Sequence, residues 1–222
     1  MLFGEVTIYE PEEYATAVAQ RLISFASQHG TVNIALSGGS TPQAIFKVLA
    51  AGNSNLDNVR FFWADERYVP YDSPDSNFGE AWRLWLSSIR PDREDLFPFA
   101  VERDSPQVVA QNYARIVPQN GLDLVLLGVG EDGHTASIFP GDEETRRTDL
   151  FAAATVAPFK PYQRLTLTPR YLNLAKHVWF LATGERKRLI LKQTASGDQT
   201  LPVAWITKPN IHWYLDEPAS QV

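Results

Sequence analysis

No cysteine occurs among the 222 residues, and that single absence removes disulfides, thiolate metal sites and cysteine nucleophiles together. Long apolar runs are missing as well; the longest are strand-sized, far short of the ~20 residues that span a bilayer. The first twenty residues have no basic segment and carry Glu5, Glu10, Glu12 and Glu13, so they do not read as a signal peptide. There is no strongly basic stretch, and the net charge is −6, which leaves no general attraction to nucleic acid or anionic lipid. A small anionic ligand stays open, because a few cations and backbone amides suffice for one phosphate. No internal repeat, low-complexity tract or linker divides the chain. These absences set the expectation of a cytoplasmic protein, one domain over residues 1–222, with no nucleic-acid and no membrane partner; a monomer is expected.

What is present alternates between two kinds of segment. Tyr14, Val18, Leu22 and the Phe25/Ala26 pair recur at helical steps and predict a helix over 12–28. Residues 32–36 and 59–63 read as short apolar strands. Thr41 followed by Pro42 reads as an N-cap and first helical residue, which predicts a helix over 42–50. Phe78, Trp82 and Leu86 mark one face of a further helix, and Ser105-Pro106 opens another with Val109, Tyr113 and Val117 inward. Residues 122–127 are almost continuously apolar, as in a strand buried on both faces. Strands are also predicted at 165–168, 177–182, 203–206 and 211–215, with helices after Thr168-Pro169 and over 185–194. Residues 140–160 read as a loop. Such alternation predicts an α/β fold: a Rossmann-like three-layer sandwich around a mostly parallel central sheet, in a single domain.

Ligands of open parallel sheets bind beyond the carboxyl ends of the strands, so the polar strand ends are the places to search. The first is Ser37-Gly38-Gly39-Ser40-Thr41. Glycines let successive N–H groups share a concavity, and a helix N-terminus adds partial positive charge, which suits a phosphate. Pro42 stands where a P-loop would place lysine, and the same pattern also makes ligand-free capped turns. The second is Trp63-Ala64-Asp65-Glu66-Arg67 with Asp75-Ser76-Asn77, which reads either as a site of placed charges or as a solvated ion-paired loop.

The third is Gly128-Val129-Gly130-Glu131-Asp132-Gly133-His134-Thr135. It contains a formal G-x-G-x-x-G, but Pro140-Gly141 interrupts the helix a dinucleotide site needs, and Asp149 does not end a second strand. His134 is the more informative residue. An imidazole with a reference pKa of ~6.5 is a good general base near neutrality, and Asp132, two residues earlier, could orient it or a substrate hydroxyl. The other three histidines read as structural: His29 at a helix end, His177 and His212 within strands. A metal site has poor support, with no His-x-x-x-His and no cysteine, and no Gly-x-Ser-x-Gly elbow supplies a serine nucleophile. Water is the natural nucleophile. Arg164 and Lys187 are cations that could clamp a phosphate, although Arg186-Lys187-Arg188 equally reads as a solvated basic face.

Taken together, these residues resemble the 6-phosphogluconolactonases, in the superfamily shared with glucosamine-6-phosphate isomerases and deaminases. The resemblance is carried by residues 35–42, 63–70, 75–77, 127–141, 164–168 and 184–187, in family order. It implies a carboxylic ester hydrolase that opens 6-phospho-D-glucono-1,5-lactone to 6-phosphogluconate in the oxidative pentose phosphate pathway, with no metal and no organic cofactor. It further implies that His134 is the base that activates water and that Arg67 stabilises the oxyanion. Ser37, Gly38, Gly39, Ser40, Thr41, Arg164 and Lys187 would hold the phosphate. Asn77 belongs to the implied substrate site, and either Asp65 or Asp132 would orient the base.

Two rival readings follow. The sister deaminases and isomerases need a carboxylate just after the Gly-His segment, and Thr135-Ala136-Ser137-Ile138-Phe139-Pro140 has none. A non-catalytic sugar-phosphate sensor would accompany a DNA-binding segment, and no basic helix is present.

Overall fold

The computed structural model describes residues 1–52, 56–147, 149–207 and 210–221. Ten strands run through it: β1 (Glu5–Tyr9), β2 (Val32–Leu36), β3 (Val59–Trp63), β4 (Asp65–Arg67), β5 (Leu96–Phe97), β6 (Leu124–Gly128), β7 (Ala152–Val156), β8 (Gln163–Leu167), β9 (His177–Ala182) and β10 (Asn210–Asp216). Seven form one sheet in the order β1-β10-β9-β6-β2-β3-β5, and every pairing in it is parallel. Helices cover both sides, as parallel pairing requires, because each crossover must return over a face of the sheet. The expected α/β architecture with its parallel central sheet is therefore present. Beside it stands a smaller antiparallel sheet, β4-β8-β7, which the sequence reading did not anticipate.

The burial pattern explains why the central strands read as solid apolar runs. In β6, Leu124, Val125, Leu126 and Leu127 are all buried, since helices cover both faces. Apolar side chains from the large and small sheets join in one core, with Trp63, Trp85 and Trp213 among its largest members. The two sheets are stitched where β3 becomes β4: Ala64 N–H donates to Leu36 O at 2.8 Å and Leu167 N–H to Ala64 O at 2.7 Å. No helix among the described residues is long and apolar enough to cross a membrane.

Four local expectations need correction. Residues 203–206 are not a strand but part of a 3₁₀ turn, Pro202–Trp205; all four of its side chains are buried, and a buried apolar run does not by itself distinguish the two. The helix expected over 42–50 begins earlier, at Ser40, with Gly39 as its cap. Gly39 takes φ 105°, open to glycine, so the chain turns before Thr41 is reached. The helix carrying Phe78, Trp82 and Leu86 does not keep one face. A π-helical turn at Trp82–Leu86 widens the spiral, so Trp85 and Leu86 point into the core while Trp82 is 38% exposed. Residues 140–160 hold the helix Glu143–Arg147 and strand β7 rather than loop alone.

Candidate active site

Strand order reverses between β2 and β6: β3 and β5 follow on one side of β2, β9 and β10 on the far side of β6. The loops that leave the carboxyl ends of β2 and β6 diverge there and open a crevice. A cavity of about 190 Å³ occupies it, and ten of the twelve residues singled out from the sequence line it: Ser37, Gly38, Gly39, Ser40, Thr41, Asp65, Arg67, Asn77, His134 and Lys187. Asp132 and Arg164 are not part of its lining; Asp132 borders a separate cavity of about 960 Å³ instead.

His134 ends a tight turn after β6, closed by Gly133 N–H to Gly130 O at 3.0 Å and Gly130 N–H to His134 O at 2.8 Å. Its Nδ1 lies 2.6 Å from Asp132 Oδ1, which also accepts the His134 backbone N–H at 3.1 Å. A carboxylate can only accept, so Nδ1 carries the proton and Nε2 is the nitrogen left for a water. Gly130 makes the pairing possible, because a Cβ there would come within 2.0 Å of His134 Nδ1 and 2.5 Å of Asp132 Oδ1. Burial works to raise the Asp132 carboxyl, but the hydrogen bonds and charge of His134 outweigh it and hold the group below its ordinary value. The loop after His134 bends into a bridge between Thr135 and Ile138 rather than a helix, so no dinucleotide-type helix start exists there.

Asp65 does not touch the histidine. Its Oδ2 accepts from Ser137 Oγ at 2.7 Å, and its Oδ1 and backbone O accept from Asn77 Nδ2 at 3.2 and 2.9 Å. Of the two aspartates, Asp132 is the one in hydrogen-bond contact with His134. Asn77 Oδ1 is buried without a partner, and Gly38 leaves room for that amide, since a Cβ there would lie 1.9 Å from it.

Loop 37–41 offers fewer hydroxyls than its sequence suggests. Ser37 Oγ donates to Leu126 O at 2.8 Å, and Thr41 Oγ1 pairs with Thr183 Oγ1 at 2.7 Å. At the start of the helix Ser40–Ala51 the Gly39 N–H also has a partner, donating to Glu80 Oε2 at 3.4 Å. Lys187 projects from a short 3₁₀ turn, Glu185–Lys187, whose entry is pinned by Asp216 accepting Gly184 N–H with both oxygens at 3.0 Å. Burial, more than the charge of Arg186, pulls the Lys187 ammonium below its usual value.

Arg67 and Arg164 face each other across the β4–β8 ladder. Arg67 Nη1 donates to Asp75 O at 2.8 Å, and the Nε atoms of both arginines are buried with no partner. Burial first, then the charge of Arg67, lowers the Arg164 guanidinium, as expected of two cations held close together. Glu66, one member of the polar triplet that follows Ala64, organises this corner. Its carboxylate accepts the backbone N–H groups of Arg67, Asn77 and Phe78 at 2.7, 2.7 and 2.8 Å and the Ser76 hydroxyl at 3.1 Å. Burial pushes the Glu66 carboxyl up to about 7 against these four donors, which favour the anion. Ser137, Glu66 and Asp216 were not singled out, because each acts through a partner distant in sequence.

A glycine-rich loop at a helix N-terminus, Lys187 and a carboxylate-held histidine come together in one crevice at the switch point of a parallel sheet, which defines an α/β protein with its candidate site at the strand ends. The chain belongs to the glucosamine-6-phosphate isomerase/6-phosphogluconolactonase family, whose model matches residues 10–213. It is 34% identical to the 6-phosphogluconolactonase of Haemophilus influenzae over 215 residues, covering 91% of this chain and 92% of that protein. The 6-phosphogluconolactonase of a Nostoc species is also 34% identical, with 91% and 89% covered. The solved 6-phosphogluconolactonase of Trypanosoma brucei superposes with a TM-score of 0.86 at 29% identity, covering 100% of this chain and 99% of that one.

Proposed function

We propose that this chain hydrolyses 6-phospho-D-glucono-1,5-lactone to 6-phosphogluconate, as a step of the oxidative pentose phosphate pathway, with His134 as general base. The observation that carries the reading is the contact between His134 Nδ1 and Asp132 at 2.6 Å, which leaves Nε2 for a water at the wall of the same cavity that holds the phosphate cradle. Water attacks the lactone carbonyl as its proton passes to Nε2, and Arg67 offsets the charge that develops on the carbonyl oxygen. The bond from that carbon to the ring oxygen then breaks, and the imidazolium returns the proton to the departing oxygen. The new carboxylic acid ionises and releases one proton to solvent. Phosphate held by loop 37–41, Lys187 and Arg164 keeps the carbonyl in place, which lowers the entropic part of the barrier.

The isomerase and deaminase chemistry of the wider family finds no support in the loop after His134. There Thr135 Oγ1 donates to Gly128 O and Ser137 Oγ to Asp65, and no carboxylate occurs from Thr135 to Pro140. The test is acid release from freshly prepared lactone. A rate no faster than spontaneous hydrolysis would sink the lactonase reading, and release of ammonia from glucosamine 6-phosphate would support the rival.

A further inference from the structure

β7 and β8 are joined by Ala157-Pro158-Phe159-Lys160-Pro161-Tyr162. Ala157 N–H donates to Tyr162 O at 2.7 Å, and two prolines fix φ between the pinned ends, so the turn is short and stiff. At its tip Phe159 is 46% exposed, in a protein whose core does not need it. The ring is nevertheless engaged on three sides. Its centroid lies 6.0 Å from that of His134 and 5.7 Å from that of Phe139, the latter edge-on at 86°. The Arg164 guanidinium sits 5.5 Å from the ring centre. Phe139 in turn packs 5.0 Å from His134, so the imidazole lies against two aromatic rings.

One side chain thus touches both the histidine after β6 and the arginine on β8. Arg164 Nε has no hydrogen-bond partner, and the guanidinium faces the like charge of Arg67. An aromatic face attracts a guanidinium through its quadrupole and so sets where the cation rests. We propose that Phe159 is a positioning residue, holding the imidazole of His134 and the guanidinium of Arg164 in fixed relation across the crevice. The roles of those two groups rest on the lactonase reading above. Phe159 itself performs no chemistry; it narrows the range of orientations that the base and the anion-binding cation must search before reaction.

The test compares wild type with Phe159→Ala and Phe159→Tyr in lactone hydrolysis, thermal unfolding and proton NMR of the imidazoles. Phe159→Ala is expected to lower kcat/KM about tenfold, through both a lower kcat and a higher KM, with an unchanged melting temperature. Phe159→Tyr, which keeps the ring, is expected to restore both constants. The chain has only 4 histidines, so the His134 ring signal can be assigned by its loss in His134→Ala. That signal is expected to shift in Phe159→Ala while those of His29, His177 and His212 stay put. Wild-type kcat and KM in Phe159→Ala, or an unmoved His134 signal, would overturn the inference. So would a loss of activity that tracks a fallen melting temperature and is not rescued by tyrosine. The NMR readout needs no turnover, so it judges Phe159 even if the wild type proves inactive on the lactone.

Discussion

Asp132 Oδ1 accepts from both the ring Nδ1 and the backbone N–H of His134, at 2.6 and 3.1 Å, so one carboxylate oxygen ties the tautomer and the ring plane of His134 to the turn that carries it. Replacing Asp132 with Asn swaps in an amide that no longer stabilises the imidazolium. We expect kcat to fall about 10²-fold with KM within a factor of about three, and His134→Ala to fall about 10²–10⁴-fold. Steady-state rates on the fresh lactone decide it. Near wild-type kcat in His134→Ala would remove the proposed base, and in Asp132→Asn it would remove the orienting role of Asp132.

Gly130→Ala tests the same pair from the backbone. The added methyl would sit 2.0 Å from His134 Nδ1, so the ring must leave Asp132. The expected result is loss of activity comparable to Asp132→Asn, with a stability cost of only about 1–2 kcal/mol because the turn itself can persist. A fully active Gly130→Ala protein would show that the tight packing of this turn is unnecessary.

The loop hydroxyls and the lysine are expected to separate. Ser37 donates inward to Leu126 O, so Ser37→Ala should cost about 1 kcal/mol in stability and leave KM within about twofold. Lys187→Ala should raise KM about tenfold or more and spare kcat, as loss of a charge-assisted phosphate contact does. If Ser37→Ala raises KM as much as Lys187→Ala, the Ser37 hydroxyl contacts the ligand despite its bond to Leu126 O.

Glu66 gives a pH signature in stability. Its folded-state value of about 7 lies above the ordinary 4.5, so the folded protein holds that proton more tightly than the unfolded chain. The contribution of Glu66 is therefore fully present below about 4.5, is lost as pH rises toward about 7, and is flat above. Measured by urea unfolding, the stability of wild type relative to Glu66→Gln should decline by about 1–3 kcal/mol across that window. A difference independent of pH between 4.5 and 8 would contradict the raised value.

Much of the site was legible because its chemistry is local. A turn rich in glycine after an apolar strand, and a histidine two residues from an aspartate, are encoded within a few residues. Loop 37–41 and the turn from Gly128 to His134 duly meet at the switch point. What stayed hidden was whatever depends on register between distant segments. Arg67 and Arg164 become neighbours only through the antiparallel β4–β8 ladder, and Ser137 reaches Asp65 only because the loop after His134 folds back. Phe159 carried no signal at all, since a phenylalanine between two prolines looks like any loop residue until β7 and β8 pair. The sequence by itself determined the parallel α/β frame, the glycine-rich turn after β2 and the His134 turn after β6, because period, turn chemistry and capping act over a turn or a strand. The tertiary structure alone decided which aspartate holds the histidine, which hydroxyls are spent inward and which aromatic ring faces the base, because those contacts form only where separately encoded elements pack against one another.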